Sequence, residues 1–279
     1  MSRPPTFSAR ALLPWDHKDA LDLAMSAGGS GVYVANWLAA PHGADEDAEV
    51  LALCGAERLL GTCYFGARGN LVVLEREPLD AGKVADAIFK SQWGWRIALG
   101  RSDVVRALAT REVTRPLVER EQVWYGVAAE GATRELVRSD VRSACEADLS
   151  ALIDAALQLN QSDLAVEPRR VNKSWLESML RRRIRDKSTK VIGPPGHVVS
   201  KLDLGSRGPH GLVLEGVFTA PESRGSGLAA GLVATVIANE GATLPIVCLH
   251  VAASNSTARR VYERAGMREL AHCGLLLRG

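Results

Sequence analysis

Leu212–Gly266 constrains this chain more than any other stretch. A strand, Leu212-Val-Leu-Glu-Gly-Val-Phe-Thr219, runs into the turn Pro221-Glu-Ser-Arg-Gly-Ser-Gly227 and then into an apolar helix. A second strand, Cys248-Leu-His-Val251, is followed by Asn255-Ser-Thr-Ala-Arg-Arg-Val-Tyr-Glu-Arg-Ala-Gly266. Gly225 and Gly227 lack a Cβ, so the backbone can bend sharply and come close to a ligand. The helix after them offers unpaired N–H groups and the positive end of its dipole, which suits a phosphate or diphosphate. Leu228, Leu232 and Val236 recur every four residues, as do Ala229, Val233 and Ile237. That pattern predicts a helix buried on a broad face, stopped at Gly241.

Other nucleotide loops fit this turn less well. A P-loop needs Gly-Lys-Ser/Thr before its helix, and here Gly227 is followed by Leu228. A dinucleotide fingerprint wants a glycine where Ala230 stands and an acidic residue about twenty positions on, but Glu240 comes sooner. The second motif narrows the choice. Asn255 and Tyr262 are about two helical turns apart and can share a face, with Ala258, Val261 and Ala265 on the same apolar stripe. Tyr262 reads either as a core aromatic or as a phenol that can hand over a proton. Of the four tyrosines it is the only one after Tyr125, so the second half of the chain offers no other phenol.

Together these motifs resemble the acyl-CoA-binding core of the GNAT superfamily of N-acetyltransferases. Arg224-Gly225-Ser226-Gly227 matches the core of that family's Gln/Arg-x-x-Gly-x-Gly/Ala loop, with Glu222 in the Gln/Arg place. The resemblance implies contacts to acetyl-CoA from Arg224, Gly225, Ser226 and Gly227 and from Leu228 and Ala229 in the first helical turn. It implies that the backbone of Val217, Phe218 and Thr219 receives the pantetheine arm as a sheet edge. Asn255 and Tyr262 match Asn-x-x-Ala-x-x-x-Tyr-Glu-x-x-Gly-Phe, with Met267 replacing the final aromatic. Asn255 is thereby implied in cofactor binding and Tyr262 in catalysis.

The fold expected is α/β (α+β). A C-terminal domain, residues 132–279, follows the order βααβββαβαβ around a mixed, splayed sheet. Arg134–Ser143, Lys190–Ile192, His197–Leu204, Pro245–Val251 and Met267–Leu277 supply its other strands. Leu149, Leu152, Ile153, Ala156 and Leu157 mark one helix. Ser174 and Glu177 form a capping box for another, with Leu176, Leu180 and Ile184 inside. Residues 1–131 read as a smaller α+β domain, with the boundary near Ala129–Ala132. Its strands are Ala48–Gly55, Leu60–Gly66, Asn70–Glu75, Trp95–Leu99 and Gln122–Ala128, and its helices Ala81–Trp93 and Val104–Thr110. This order suits a degenerate copy of the same fold. The half also resembles the N-terminal domain of unassigned function on some bacterial acetyltransferases. Arg68-Gly69 only superficially copies the phosphate loop, because a strand follows it.

Composition bounds the remainder. With 279 residues, 47% of them hydrophobic and 24% charged, the chain has the balance of a water-soluble globular protein. A net charge of +2 gives no reason to expect nucleic acid or membrane as partner. Nine Lys or Arg between Arg169 and Lys190 read as the wet face of a helix. Cys54, Cys63, Cys145, Cys248 and Cys273 are odd in number and contain no Cys-x-x-Cys, so neither a disulfide framework nor a metal site is expected. Met-Ser-Arg-Pro-Pro lacks a signal peptide's apolar run, and Leu23–Ala44, though free of charge, is broken by glycines and Pro41. A cytoplasmic location is expected.

The resemblance implies direct acetyl transfer, from thioester to a primary amine, in a ternary complex. Backbone near Val217 would polarise the thioester carbonyl as an oxyanion hole does. Glu215 is the first candidate for the base, on the face of Val217 and Thr219 by period two; His250 and water are the alternatives. The acceptor, small molecule or protein, is left open. Asp163 and Glu167 would attract a cationic amine, Arg169 and Arg170 an anion. The first half's role, as lid, homodimer contact or relic, is also open. A non-catalytic acyl-CoA sensor or assembly module is the competing reading.

Overall fold

The computed structural model describes residues 4–40, 48–67, 69–128 and 131–279. Met1-Ser2-Arg3, Arg68 and the Ala129 end of the expected boundary lie outside the described residues. The chain divides into two units. Residues up to Trp124, with Ala252–Ser254 and Leu270–Gly279, make the first; Tyr125–Val251 and Asn255–Glu269 make the second.

In the first unit β1 (Ser8–Ala11) leads to α1 (His17–Ser26) and α2 (Val32–Ala39), then β2 (Glu49–Cys54), β3 (Leu59–Phe65) and β4 (Asn70–Glu75). α3 (Ala81–Lys90), β5 (Ile97–Gly100), α4 (Ser102–Ala109) and β6 (Val118–Val127) follow, the dividing point lying within β6 between Trp124 and Tyr125. Residues 23–40 of the uncharged run are thus the end of α1, a 3-10 turn and α2, and 41–44 lie outside the described residues. A Cβ on Gly31 would collide with the carbonyl of Ala24, so this glycine lets the chain fold back tightly. No helix of the described residues is long and apolar enough to cross a membrane. The core gathers Leu53, Phe65, Leu71, Val84, Ile88, Val104, Leu108 and Leu276 between α3, α4 and the sheet.

The second unit has β7 (Val141–Ser143), α5 (Leu149–Leu164), α6 (Lys173–Arg185), β8 (Thr189–Ile192), β9 (Ser200–Gly208), β10 (Gly211–Thr219), α7 (Leu228–Glu240), β11 (Val247–Ala252) and α8 (Ser256–Arg264). Its strands lie side by side in the order β11-β10-β9-β8-β7. The expected stripes hold: Leu149, Leu152, Leu176 and Leu180 form one buried cluster, with Ile153, Ala156, Leu157 and Ile184 partly buried against it.

Three details depart from the sequence reading. Arg134–Ser143 is extended only at Val141–Ser143, because Arg134–Leu136 coils into a 3-10 turn. α6 is capped by Asn172, whose side chain accepts the Trp175 N–H at 3.0 Å, rather than by a Ser174 box. The last strand, β12 (Arg268–Leu277), pairs antiparallel with β5, Leu275 opposite Leu99 and Leu276 opposite Ala98. Its apolar end therefore completes the first unit's sheet, order β1-β2-β3-β4-β5-β12, where the sequence reading had it finish the second. Strand periodicity names a buried face and is silent on which neighbour covers it.

A buried clamp fixes the start of the second unit. The Asp148 carboxylate, fully inaccessible, accepts both guanidinium nitrogens of Arg142 at 2.7 and 2.9 Å and the N–H groups of Cys145 (2.8 Å) and Gly196 (2.9 Å).

Candidate functional site

β10 and β11 are parallel neighbours, paired at Leu212–Val247 and Val213–Cys248. Because they are parallel, the helices that follow them, α7 and α8, begin at the same edge of the sheet. Among the described residues no pairing with β11 continues along Leu214–Thr219. The sheet opens there. In open α/β sheets, ligands enter at the carboxyl ends of such diverging strands.

β10 is also bulged. Glu215 faces Asp203 and Phe218 faces Lys201, so two residues, Gly216 and Val217, oppose one on β9. Gly216 has φ +56°, and a Cβ there would come 2.7 Å from Asp203 Oδ2 and 2.9 Å from Lys201 Nζ. The bulge breaks the period-two alternation. Glu215 consequently shares its face with Phe218 rather than with Val217. Phe218 O accepts from Ser200 Oγ at 2.9 Å, and Thr219 O from Arg224 Nε at 3.2 Å. The three edge residues named from sequence are therefore unequal: Phe218 and Thr219 already carry side-chain donors on their carbonyls, and Val217 stands in the bulge.

The turn that follows is Pro221–Ser223, a 3-10 turn, then Arg224 to Gly227. Gly225 and Gly227 have φ +82° and +81°, the left-handed region, and among the described residues nothing beyond their chain neighbours lies within 4 Å of where their Cβ atoms would be. The conformation, and not crowding by the protein, demands glycine here. Arg224, Gly225 and Ser226 are exposed, while Leu228 and Ala229 are half-buried in the first turn of α7. From Ala230 to Ile237 that helix is buried throughout, so its N-terminus is held rigidly.

The first unit answers the same question differently. There the connection from β4 to α3 ends in Asp80, whose carboxylate accepts the Lys83 N–H at 3.0 Å. An internal carboxylate thus caps the start of α3.

Asn255 caps α8, its side-chain oxygen accepting from Ala258 N at 3.0 Å. Tyr262, on the next two turns, is 7% exposed. Burial, with the negative Asp163 adding to it, pushes its phenol above the ordinary value. It therefore stays protonated through neutral and mildly alkaline pH. Tyr125, which opens the second unit, packs its ring 6.1 Å from that of Tyr262. Its hydroxyl donates to Glu263 at 2.8 Å and accepts from Arg259 Nε at 3.1 Å. The second unit thus holds two phenols, because it begins at Tyr125. Distance in sequence concealed the other.

Glu215 belongs to an ionic cluster that sequence spacing could not reveal. Its Oε2 lies 3.2 Å from Arg183 Nη2 on α6, and Arg183 also pairs with Asp203. Asp203 takes Lys201 Nζ at 2.6 Å and the Thr189 hydroxyl at 2.7 Å. Burial alone would make Asp203 harder to ionise, but the charges of Lys201 and Arg183 and the bonds from Lys201 and Thr189 outweigh it and hold the carboxyl below its ordinary range. His250, half-buried on β11, completes the candidates named for proton removal. On α6, Trp175 is 52% exposed, an apolar surface on the wall expected to meet the acceptor. Among the described residues no group of His, Cys, Asp and Glu is placed to hold a metal ion, and none of the five cysteines forms a disulfide.

Residues 207–275 match the family model described as FR47-like protein. No curated protein matches the chain. Among solved structures it is similar to a Drosophila protein, at TM-score 0.64 and 14% identity, covering 96% of this chain and 98% of that one. A GCN5-related N-acetyltransferase from Sphaerobacter thermophilus aligns at TM-score 0.54 and 18% identity over 100% and 98% of the two chains. A tandem GNAT protein from the clavulanic acid biosynthesis pathway aligns at 0.53 and 12% over 97% of each. At these identities the likeness is one of fold. The element order βααβββαβα, found once in each unit, and these whole-length alignments give the chain the tandem GNAT fold, with the FR47-like pattern in its second copy.

Proposed function

We propose that the second unit is an acyl-CoA-dependent N-acetyltransferase acting on a primary amine. The observation that carries this reading is the opening between β10 and β11, with Gly225 and Gly227 in left-handed conformation at its mouth. Backbone N–H groups of 225–229 would hold the diphosphate, Val217 in the bulge would meet the pantetheine amides, and Asn255 would border the arm. The thioester supplies an activated acyl carbon. The amine nitrogen bonds to it as the carbon–sulfur bond breaks; Tyr262 gives its proton to the departing sulfur and the amine gives one up.

Calorimetry with coenzyme A tests the cradle, and thiol release with acetyl-CoA over a broad amine panel tests transfer. We expect binding at one coenzyme per chain, because the Asp80 carboxylate already caps α3 in the first unit. Two equivalent sites would contradict that account. Binding with no thiol release from any amine would favour the sensor reading. Absence of binding at about millimolar coenzyme would end both.

Gly227→Val should weaken coenzyme A at least about tenfold, since a β-branched residue is strained at φ +81° and would redirect the amides. Circular dichroism should show the fold retained, because open space surrounds the new side chain. For Glu215 the ionic cluster supplies a use that needs no catalysis. We expect Glu215→Gln to lower the melting temperature by a few degrees and leave turnover within about threefold, the amine proton passing to water. A fall of about a hundredfold with an intact fold would make Glu215 the base.

A further inference from the structure

The first unit contains a cavity of about 330 Å³, within the size range of small-molecule sites. It is bounded by Phe89 at the end of α3, by Trp95 and Arg96 before β5, by Arg111, Glu112, Val113 and Thr114 after α4, and by Arg278 and Gly279. None of these residues has a part in the site proposed above. From its lining we infer that this cavity binds a small monocarboxylate with a flat apolar body.

The charges select the head group. Arg111 is committed to Asp86 and to the carbonyls of Ala107 and Gly82. Arg278 lies over the Trp95 ring, 4.6 Å from its centre, and pairs with Glu112 at 2.8 Å. Arg96 is exposed; its backbone bonds to Gly69 and Arg278, but its guanidinium has no hydrogen-bond or ion-pair partner among the described residues. One uncommitted guanidinium offers the two-pronged match to a carboxylate. Glu112, in the same lining with its side chain 6% exposed, would repel a phosphate dianion more than a single charge.

The apolar part follows from the walls. Phe89 and Val113 line the cavity and are both exposed, Phe89 at 37% and Val113 wholly. Phe89 and Trp95 meet at a steep angle, ring centres 6.2 Å apart, and Arg278 lies 5.9 Å from the Phe89 ring centre; the part of Phe89 that stays exposed is the surface for a ligand's ring. Glu112 Oε1 is held 2.8 Å from Arg278 Nε, so that ion pair is closed within the protein and Arg96 is left to meet the ligand's carboxylate.

Phenylacetate is the probe, applied to the full chain and followed by ligand-observed NMR and calorimetry. Phenylacetate should bind at about millimolar or tighter, and the neutral isostere 2-phenylethanol and the bare head group acetate at least about fivefold more weakly. Inorganic phosphate should bind more weakly as well. Arg96→Ala and Phe89→Ala should each weaken phenylacetate about fivefold or more while coenzyme A binding stays unchanged, which separates this site from the transferase reading. Equal affinity for the neutral isostere, tighter binding of phosphate, unchanged affinity in both variants, or no binding at about 10 mM overturns the assignment.

Discussion

Replacing Tyr262 by phenylalanine should lower acetyl turnover about a hundredfold and leave coenzyme A affinity within about twofold. The ring fills the apolar stripe of α8 whether or not it carries a hydroxyl, so packing is preserved and only the proton is lost. Burial together with Asp163 keeps the phenol protonated. Turnover of the native protein should therefore show no loss on the alkaline side from Tyr262 until pH exceeds about 10. Tyr125→Phe is the matched control. Its hydroxyl is already occupied by Glu263 and Arg259, so turnover should fall less than about fivefold. Equal losses in the two variants, or a larger loss in Tyr125→Phe, would move the proton donor away from Tyr262.

The largest loss of stability is expected from Asp148→Ala. Removing the carboxylate takes the acceptor from a guanidinium and from two part-buried N–H groups at once, which costs about 3 kcal/mol, roughly 8 °C in melting temperature. Asp148→Asn keeps one oxygen, which can accept from only one of the two N–H groups, and puts an amide NH2 in place of the other, so it should fall between native and alanine variants. The pH dependence has a definite sign. Burial opposes the charged form of Asp148, but Arg142 and the N–H groups of Cys145 and Gly196 prevail and hold the carboxyl well below the usual range. A depressed folded-state value contributes stability above the unfolded value, near pH 4, and that contribution drains away as pH falls below it. Thermal melts from pH 6 to pH 3 should converge for native and Asp148→Asn proteins. Parallel curves over that interval would sink this account.

Much of the candidate site is local, and local features are readable. The glycines at 225 and 227 are dictated by backbone conformation over a few residues, and α7 and α8 by side chains recurring at helical spacing. The buried stripe of α5 and α6 was legible for the same reason. The bulge was not. It exists because β9 places Asp203 opposite Glu215 and Lys201 opposite Phe218, and only the paired register exposes the extra residue. That one residue turns Glu215 toward Arg183 and separates its face from that of Val217.

In the first half, β2, β3 and β4 follow from alternation and turns, but β1 is four mostly exposed residues with no pattern of its own. Gly31 explains the fold of the uncharged run only once Ala24 is seen against it. Composition and short-range spacing determined the α/β character, the glycine turn and the placement of Tyr262 on a helix, because each depends on residues within one or two turns of one another. Which strand receives Leu270–Leu277, which second phenol lies beside Tyr262 and which cation takes Glu215 were decided in the tertiary structure. These are encounters between residues far apart in the chain, and their free energy appears only when the sheet has formed.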